Sequence, residues 1–249
     1  VVEADDSLIV VDPGLTTVAN QVIDTIRDDL ERDPADVAAV ACTHGHSDHV
    51  GGVSTLLRHC SAPVHLPARC EGYLAGERPR NFPLVKSSVR FMAVYAEQPF
   101  SFSALRAFAA GTKVGYGRQK DMQVDFTPGA FLADGDALPF GPGWEVLHTP
   151  GHTDDSTCFY HAESATLISG DTIVTEDGTP WFNPEFIDLD VSDETTERLL
   201  SLEVRHLLPG HGQPLEAPNV WARAKRPLDT PTGSSLAARC ARRFGTWHP

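Results

Sequence analysis

The chain has 249 residues, 41% of them hydrophobic, so it is long enough to bury a core as one large domain or two small ones without disulfides. Its formal net charge of -14 disfavours a general affinity for the phosphate backbone of nucleic acids, and no window holds the roughly 18 apolar residues of a membrane span. The composition therefore predicts a soluble protein with no nucleic-acid and no membrane partner.

The first elements alternate between strand and helix. Residues 7–12 form a short apolar run that stops at Asp-Pro-Gly, which predicts a strand that ends at Asp12. Residues 18–31 carry apolar side chains at helical spacing and predict an amphipathic helix that packs on a sheet. The nearly unbroken apolar run 37–42 predicts a buried strand, and it ends directly in a cluster of polar residues.

The same arrangement of strand and polar residue recurs three times later in the chain. Predicted strands 144–149, 166–169 and 204–208 are each followed closely by a candidate metal ligand. These ligands are His152, Asp171 and His211. Because loops at strand ends are held by a rigid scaffold and stay accessible, this pattern predicts a functional site on a layered α/β fold.

Two regions are harder to interpret. The segment 66–133 contains most of the phenylalanine and tyrosine residues and an excess of basic over acidic side chains, which indicates an insertion that forms a lid over the site or, alternatively, a small core of its own. The residues proposed to meet the substrate there are Arg78, Arg80, Phe82, Lys86, Phe91 and Tyr95. A second basic stretch, 218–249, has no assigned role.

Cysteine usage and the chain start bear on the compartment. Five cysteines are scattered without a CxxC pair, which predicts free and mostly buried thiols in a reducing environment. No basic and apolar leader opens the sequence, so we expect a cytoplasmic protein. The chain starts in an extended stretch without methionine, and we expect further residues before Val1.

The chemistry is concentrated in the motif Thr-His-Gly-His-Ser-Asp-His at residues 43–49. Three imidazoles and a carboxylate at this density are typical of a site for divalent metal. In an extended loop, His44 and His46 point the same way and can grip one ion, while Asp48 and His49 turn toward a second ion about 3.5–4 Å away. His152 then completes the first set, His211 the second, and Asp171 bridges both.

This order of motifs, HxHxDH followed by PGH, GD and PGHG, resembles the metallo-β-lactamase superfamily from about Asp12 to Gly212. The resemblance implies a single αββα domain of two packed mixed sheets, and it gives Asp12 a supporting role behind the ligands. It also implies one or two strands before Asp12, which are short or absent here. Asp171 stands where β-lactamases resembling this chain carry Cys or Ser, so the resemblance favours the glyoxalase II-like and lactonase-like group.

The predicted activity is hydrolysis of an ester, thioester or lactone by a metal-bridging hydroxide, with two divalent ions, preferably zinc and otherwise iron or manganese, and with Asp48 as the catalytic carboxylate. The substrate is expected to be a small molecule with apolar and anionic parts. Monomer and homo-oligomer are both left open. Alternatives are a persulfide dioxygenase with one iron on His44, His152 and Asp171, a phosphodiesterase or nuclease of the same superfamily and, least favoured, a non-catalytic binding module.

Overall fold

The computed structural model describes residues 1–4, 6–80, 91–97, 113–117, 120–138 and 141–244. These residues form two compact units. The first unit contains the described residues of 1–79 and 113–142, and the second contains those of 80–97 and 143–244. Within the described residues, every helix is too short or too polar to cross a bilayer.

The first unit is built on a five-stranded sheet in the order β1-β2-β3-β4-β5. Strand β1 pairs with β2 in the antiparallel direction, and β2 to β5 are parallel. The strands are β1 (Val2–Ala4), β2 (Ser7–Val11), β3 (Val37–Ala41), β4 (Val64–Pro67) and β5 (Ala130–Leu132). Parallel strands need crossover connections, and helices supply them here. The helices are α1 (Thr16–Asp24), a π-helix (Thr25–Asp29), a 3-10 helix (Pro34–Asp36), α2 (Ser47–Val50), α3 (Val53–Leu56) and α4 (Arg69–Leu74).

The predicted strands 7–12 and 37–42 are confirmed as β2 and β3. The helix predicted for 18–31 exists, but it begins at Thr16 and its last turn is a π-helix that ends at Asp29. The apolar spacing predicted most of the buried face: Ile23 and Ile26 are buried, and Val22 and Leu30 are partly buried against the core. Only Val18, the first apolar residue of the predicted helix, is exposed.

The second unit contains a five-stranded sheet in the order β12-β11-β8-β7-β6 and a separate two-stranded ribbon, β9-β10. Strands β8 and β11 are parallel, and the other sheet neighbours are antiparallel. The strands are β6 (Trp144–His148), β7 (Thr157–His161), β8 (Thr166–Gly170), β9 (Ile173–Glu176), β10 (Thr179–Phe182), β11 (His206–Pro209) and β12 (Leu215–Glu216). The helices are α5 (Leu189–Leu200), a 3-10 helix (Val220–Arg223) and α6 (Leu236–Phe244); residues 91–95 are also helical.

Strands β6, β8 and β11 correspond to the three predicted strands that precede a candidate ligand. The five cysteines, all among the described residues, form no disulfide, and four of them are buried, as the sequence predicted. Burial raises the pKa of Cys158 to about 11 and also raises the pKa of Cys42, where the Asp12 carboxylate adds to the effect. Both side chains are therefore neutral thiols at pH 7 and poor candidates for nucleophile or metal ligand.

Candidate metal centre

The loop that follows β3 carries four of the candidate ligands. His44, His46 and His49 are buried, and Asp48 is half-buried. The expectation of an extended conformation throughout this motif is wrong, because the backbone enters α2 at Ser47 and the amide of His49 donates to the carbonyl of His46. Asp48 and His49 therefore lie in the first turn of a short helix.

The ligand atoms of this loop lie close together. Nε2 of His44 is 3.0 Å from Nδ1 of His46, near the separation of about 3.3 Å between two nitrogen ligands of a tetrahedral zinc with bonds of about 2.0–2.1 Å. The ligand atoms of His44 and His49, and those of Asp48 and His49, are within 4.8 Å of one another. The loop thus offers several side chains whose donor atoms converge.

Asp12 holds these imidazoles in place. It lies at the end of β2 with a φ of 47°, in the left-handed region that only a few non-glycine residues adopt. Its Oδ2 accepts hydrogen bonds from Nδ1 of His49 at 2.9 Å and from the Thr43 hydroxyl at 2.7 Å, and its Oδ1 accepts from the Thr43 amide at 2.7 Å. The carboxylate therefore receives three donors from the motif.

These contacts fix which ring nitrogens are available. A carboxylate only accepts, so Nδ1 of His49 carries the proton and Nε2 of the neutral ring has the lone pair. The Thr43 hydroxyl gives its proton to Asp12, and its oxygen then accepts from Nδ1 of His44 at 3.1 Å. Nε2 of His44 consequently has a lone pair as well, which is the state that a divalent metal requires.

The second unit supplies three further candidates, each from the end of a different strand. His152 follows β6, Asp171 follows β8 and His211 follows β11. Oδ2 of Asp171 lies 3.7 Å from Nε2 of His152 and 3.5 Å from Nε2 of His211. One carboxylate oxygen is thus flanked by two imidazoles, which is the arrangement expected of a shared ligand.

Hydrogen bonds with backbone groups position His152 and His211. Nδ1 of His152 donates to the carbonyl of Glu185 at 2.8 Å, which leaves Nε2 as the lone-pair nitrogen of the neutral ring. The carbonyl of His211 accepts from the amide of Thr175 at 3.2 Å. The next residue, Gly212, has a φ of +96°, and a Cβ there would lie next to the Thr175 hydroxyl. Only glycine fits this turn.

The residues fit a divalent metal by the chemistry of their donors. In the part of the chain that the structure describes, groups of histidine and aspartate side chains could hold metal ions. Their members are His44, His46, Asp48, His49, His152, Asp171 and His211. Imidazole nitrogen and carboxylate oxygen are the donor types that suit zinc, iron and manganese.

The residues predicted to meet substrate are distributed differently. Phe91 is buried against Val174 and Trp181, and its ring lies edge-on to His211 with centroids 5.5 Å apart. Tyr95 is 47% exposed and meets His211 in the same way at 5.6 Å. These two aromatic residues therefore border a candidate ligand.

Two basic residues predicted to meet the substrate, Arg78 and Arg80, lie near acidic side chains. Arg78 is exposed, 3.7 Å from Asp121. The Arg80 guanidinium is 3.5 Å from Asp154 and 3.4 Å from Asp188. Phe82 and Lys86 lie outside the described residues.

Sequence reasoning missed several residues that surround the candidate ligands. The ring of Tyr116 packs edge-on against His46 with centroids 4.8 Å apart. Thr43 is the first residue of the motif, but it was given no predicted role. Asn183 and Glu185 lie in an ordinary stretch of sequence, and no local signal marks them.

The chain is similar in sequence to a known protein family and to several of its members. The family profile described as the Metallo-beta-lactamase superfamily matches residues 1–211. The chain is 25% identical to the probable metallo-hydrolase YflN of Bacillus subtilis over 229 residues, which is 86% of this chain and 78% of that protein. It is 26% identical to a hydroxyacylglutathione hydrolase of Bdellovibrio bacteriovorus over 173 residues, covering 69% of this chain and 45% of the relative. The match thus spans less than half of that hydrolase.

A solved structure has a similar fold. The crystal structure of TTHA1623 in a di-iron-bound form has a TM-score of 0.57 and 24% sequence identity, and the match covers 90% of this chain and 91% of that one. At this identity the likeness concerns the fold. The mixed sheets and flanking helices described above are those of the predicted αββα architecture.

Proposed function

The chain belongs to the metallo-β-lactamase superfamily as an MBL-fold metallo-hydrolase, and from that premise we propose that it is a dinuclear enzyme that cleaves an ester, thioester or lactone. The observation that carries the proposal is the position of Asp171, whose Oδ2 has an imidazole nitrogen on either side at 3.7 and 3.5 Å. A carboxylate in this position can serve two ions at once. Zinc is the proposed metal.

Each residue has a role in the proposal. His44, His46 and His152 would hold one ion, Asp48, His49 and His211 would hold the other, and Asp171 would serve both. Such ions, when bound, would lower the pKa of a water and polarise a carbonyl oxygen. Asp48 would orient that water, take a proton from it and give that proton to the leaving group, which suits a carboxylate that is half-buried in the first turn of α2.

The donor set supports this assignment over a structural metal site. A closed structural zinc uses four ligands at one centre, whereas seven candidates on four loops provide for two ions with positions left for water. The hydroxyacylglutathione hydrolase relative supports a thioester as the first substrate class to examine. The di-iron form of TTHA1623 makes iron the second metal to examine.

The decisive experiment combines metal analysis with a substrate panel. We expect purified protein to contain two ions per chain and, after reconstitution with zinc, to turn over thioester or lactone substrates in preference to phosphodiesters and β-lactams. Asp48→Asn is expected to keep the fold and lower kcat by about 10²–10⁴-fold, the usual contribution of general acid–base catalysis. Asp28→Asn, an exposed aspartate of the same unit, is the matched control and should be fully active.

Two results would contradict the proposal. Protein that retains no bound metal after incubation with excess zinc would remove the basis of the proposal. A single iron per chain together with oxygen consumption would identify the dioxygenase instead.

A further inference from the structure

Asn183 is buried directly after β10, and both polar groups of its side chain are used. Its Nδ2 donates to the backbone carbonyl of Asp171 at 2.7 Å. Its Oδ1 accepts from the amide of Glu185 at 2.8 Å. Because one partner is an acceptor and the other a donor, an amide side chain satisfies both, and neither a carboxylate nor an apolar side chain can.

The same hydrogen-bond chain reaches a second candidate ligand. The carbonyl of Glu185 accepts the proton on Nδ1 of His152 at 2.8 Å, so Asn183 connects the backbone of Asp171 to the ring of His152 through a single intervening residue. All of these atoms belong to the second unit and are buried. At the far end of both side chains, Oδ2 of Asp171 and Nε2 of His152 are 3.7 Å apart.

We propose that Asn183 is a positioning residue that sets the spacing between His152 and Asp171 and thereby the affinity of the enzyme for its metal. This inference rests on the proposed function, because it takes both residues to be ligands. Partners behind metal ligands fix their orientation, and loss of one typically weakens metal binding by about 10–100-fold. Asn183 differs from most such partners in acting on two ligands, through a backbone carbonyl and a neighbouring residue.

The main test is Asn183→Asp, which keeps the side-chain volume and the acceptor for Glu185 but turns an oxygen toward the Asp171 carbonyl. We expect zinc affinity, measured on metal-free protein by competition with a chelator, to fall by about 10–100-fold. Asn183→Ala, which removes both bonds, should have an effect at least as large. The matched control is Asn219→Ala, since Asn219 accepts a hydrogen bond from Trp221 at the start of a 3-10 helix and should leave zinc affinity unchanged.

A purely structural role is distinguished by a second measurement. In a His152→Ala background, Asn183→Asp should weaken zinc binding by a smaller factor than in the wild type, because one of the two ligands it positions is already absent. An equal factor in both backgrounds, or wild-type affinity in Asn183→Asp, would overturn the inference. If instead His152→Ala binds zinc as tightly as the wild type, it is the assignment of His152 as a ligand, and with it the proposed function, that fails.

Discussion

The two units support their candidate ligands in different ways. In the first unit, four candidates lie within six residues of one loop, and one carboxylate, Asp12, holds His49 directly and His44 through Thr43. In the second unit, three candidates come from three strand ends, and the contacts described above are made by neutral groups: the Glu185 carbonyl, the Asn183 side-chain amide and the Thr175 backbone amide. The contrast shows that adjacent ligands can share one charged support, whereas dispersed ligands depend on the backbone that carries them.

The second unit also contains a buried ion pair, between Glu176 and Lys225. Glu176, at the end of β9, is fully buried and accepts hydrogen bonds from Lys225 at 2.6 Å and from the amides of Thr232 and Gly233 at 2.9 and 2.8 Å. Lys225 also lies 4.1 Å over the ring of Trp181. The preceding residue of β9 bonds the carbonyl of His211. This ion pair therefore fixes the C-terminal segment to the ribbon that supports one candidate ligand.

The largest expected effect comes from breaking this pair with Glu176→Gln. Removal of one partner of a buried ion pair leaves an uncompensated charge, and we expect the free energy of unfolding at pH 7 to fall by about 3–5 kcal/mol. Glu197→Gln is the matched control in the same unit, because its pair with Arg226 is exposed and worth about 1 kcal/mol at most. Chemical denaturation of both variants measures the difference, and equal losses would contradict the assignment.

The pair of Glu176 and Lys225 also makes the free energy of unfolding depend on pH. Burial by itself raises the pKa of Glu176, but the hydrogen bonds from Lys225, Thr232 and Gly233 outweigh it and hold that pKa below its usual value of 4.5. An acid with a lowered pKa contributes stability above its unfolded pKa and loses it as the pH falls through the folded one. The stability difference between wild type and Glu176→Gln should therefore shrink below about pH 4.5.

The next largest effect is expected at Asp12, the charged group that supports candidate ligands in the first unit. Asp12→Asn replaces a carboxylate that receives three donors by an amide with a single acceptor oxygen, so at least one donor of the motif faces an NH₂ group. We expect zinc affinity to fall by about 10–100-fold. Asp36→Asn, at a half-buried ion pair with Arg32 in the same unit, is the control. Unchanged affinity in Asp12→Asn would mean that the charged support of the first unit is dispensable.

The smallest effect concerns Arg80 in the second unit. Its guanidinium is 54% exposed, so we expect Arg80→Ala to lower the free energy of unfolding by less than about 1 kcal/mol, as for Arg205→Ala at another exposed pair. Kinetics then examines the predicted substrate contact. If Arg80 contacts the anionic part of the substrate, Arg80→Ala should raise KM for a negatively charged thioester and leave KM for a neutral thioester unchanged. Equal changes in KM for the two substrates would exclude this contact.

Much of the fold was predictable because it is recorded in local patterns. The apolar runs that became β2 and β3 are nearly continuous in sequence, as is typical of a buried strand. The density of histidine and aspartate after β3 likewise identified metal chemistry without any structure. The helical turn at Asp48 was missed, because a four-residue helix has no periodicity to detect.

The sequence by itself determined the family and five strands, β2, β3, β6, β8 and β11, and it nominated the candidate ligands, since each motif and each strand pattern is local in the chain. The resemblance already gave Asp12 a supporting role, but only the tertiary structure decided the contacts: Asp12 accepts from His49, Asn183 joins Asp171 to Glu185, and Lys225 pairs with Glu176. These partners are brought together by the path of the backbone. A hydrogen bond between distant residues leaves no periodicity in the sequence, because its donor and acceptor meet only after the strands between them have paired and packed.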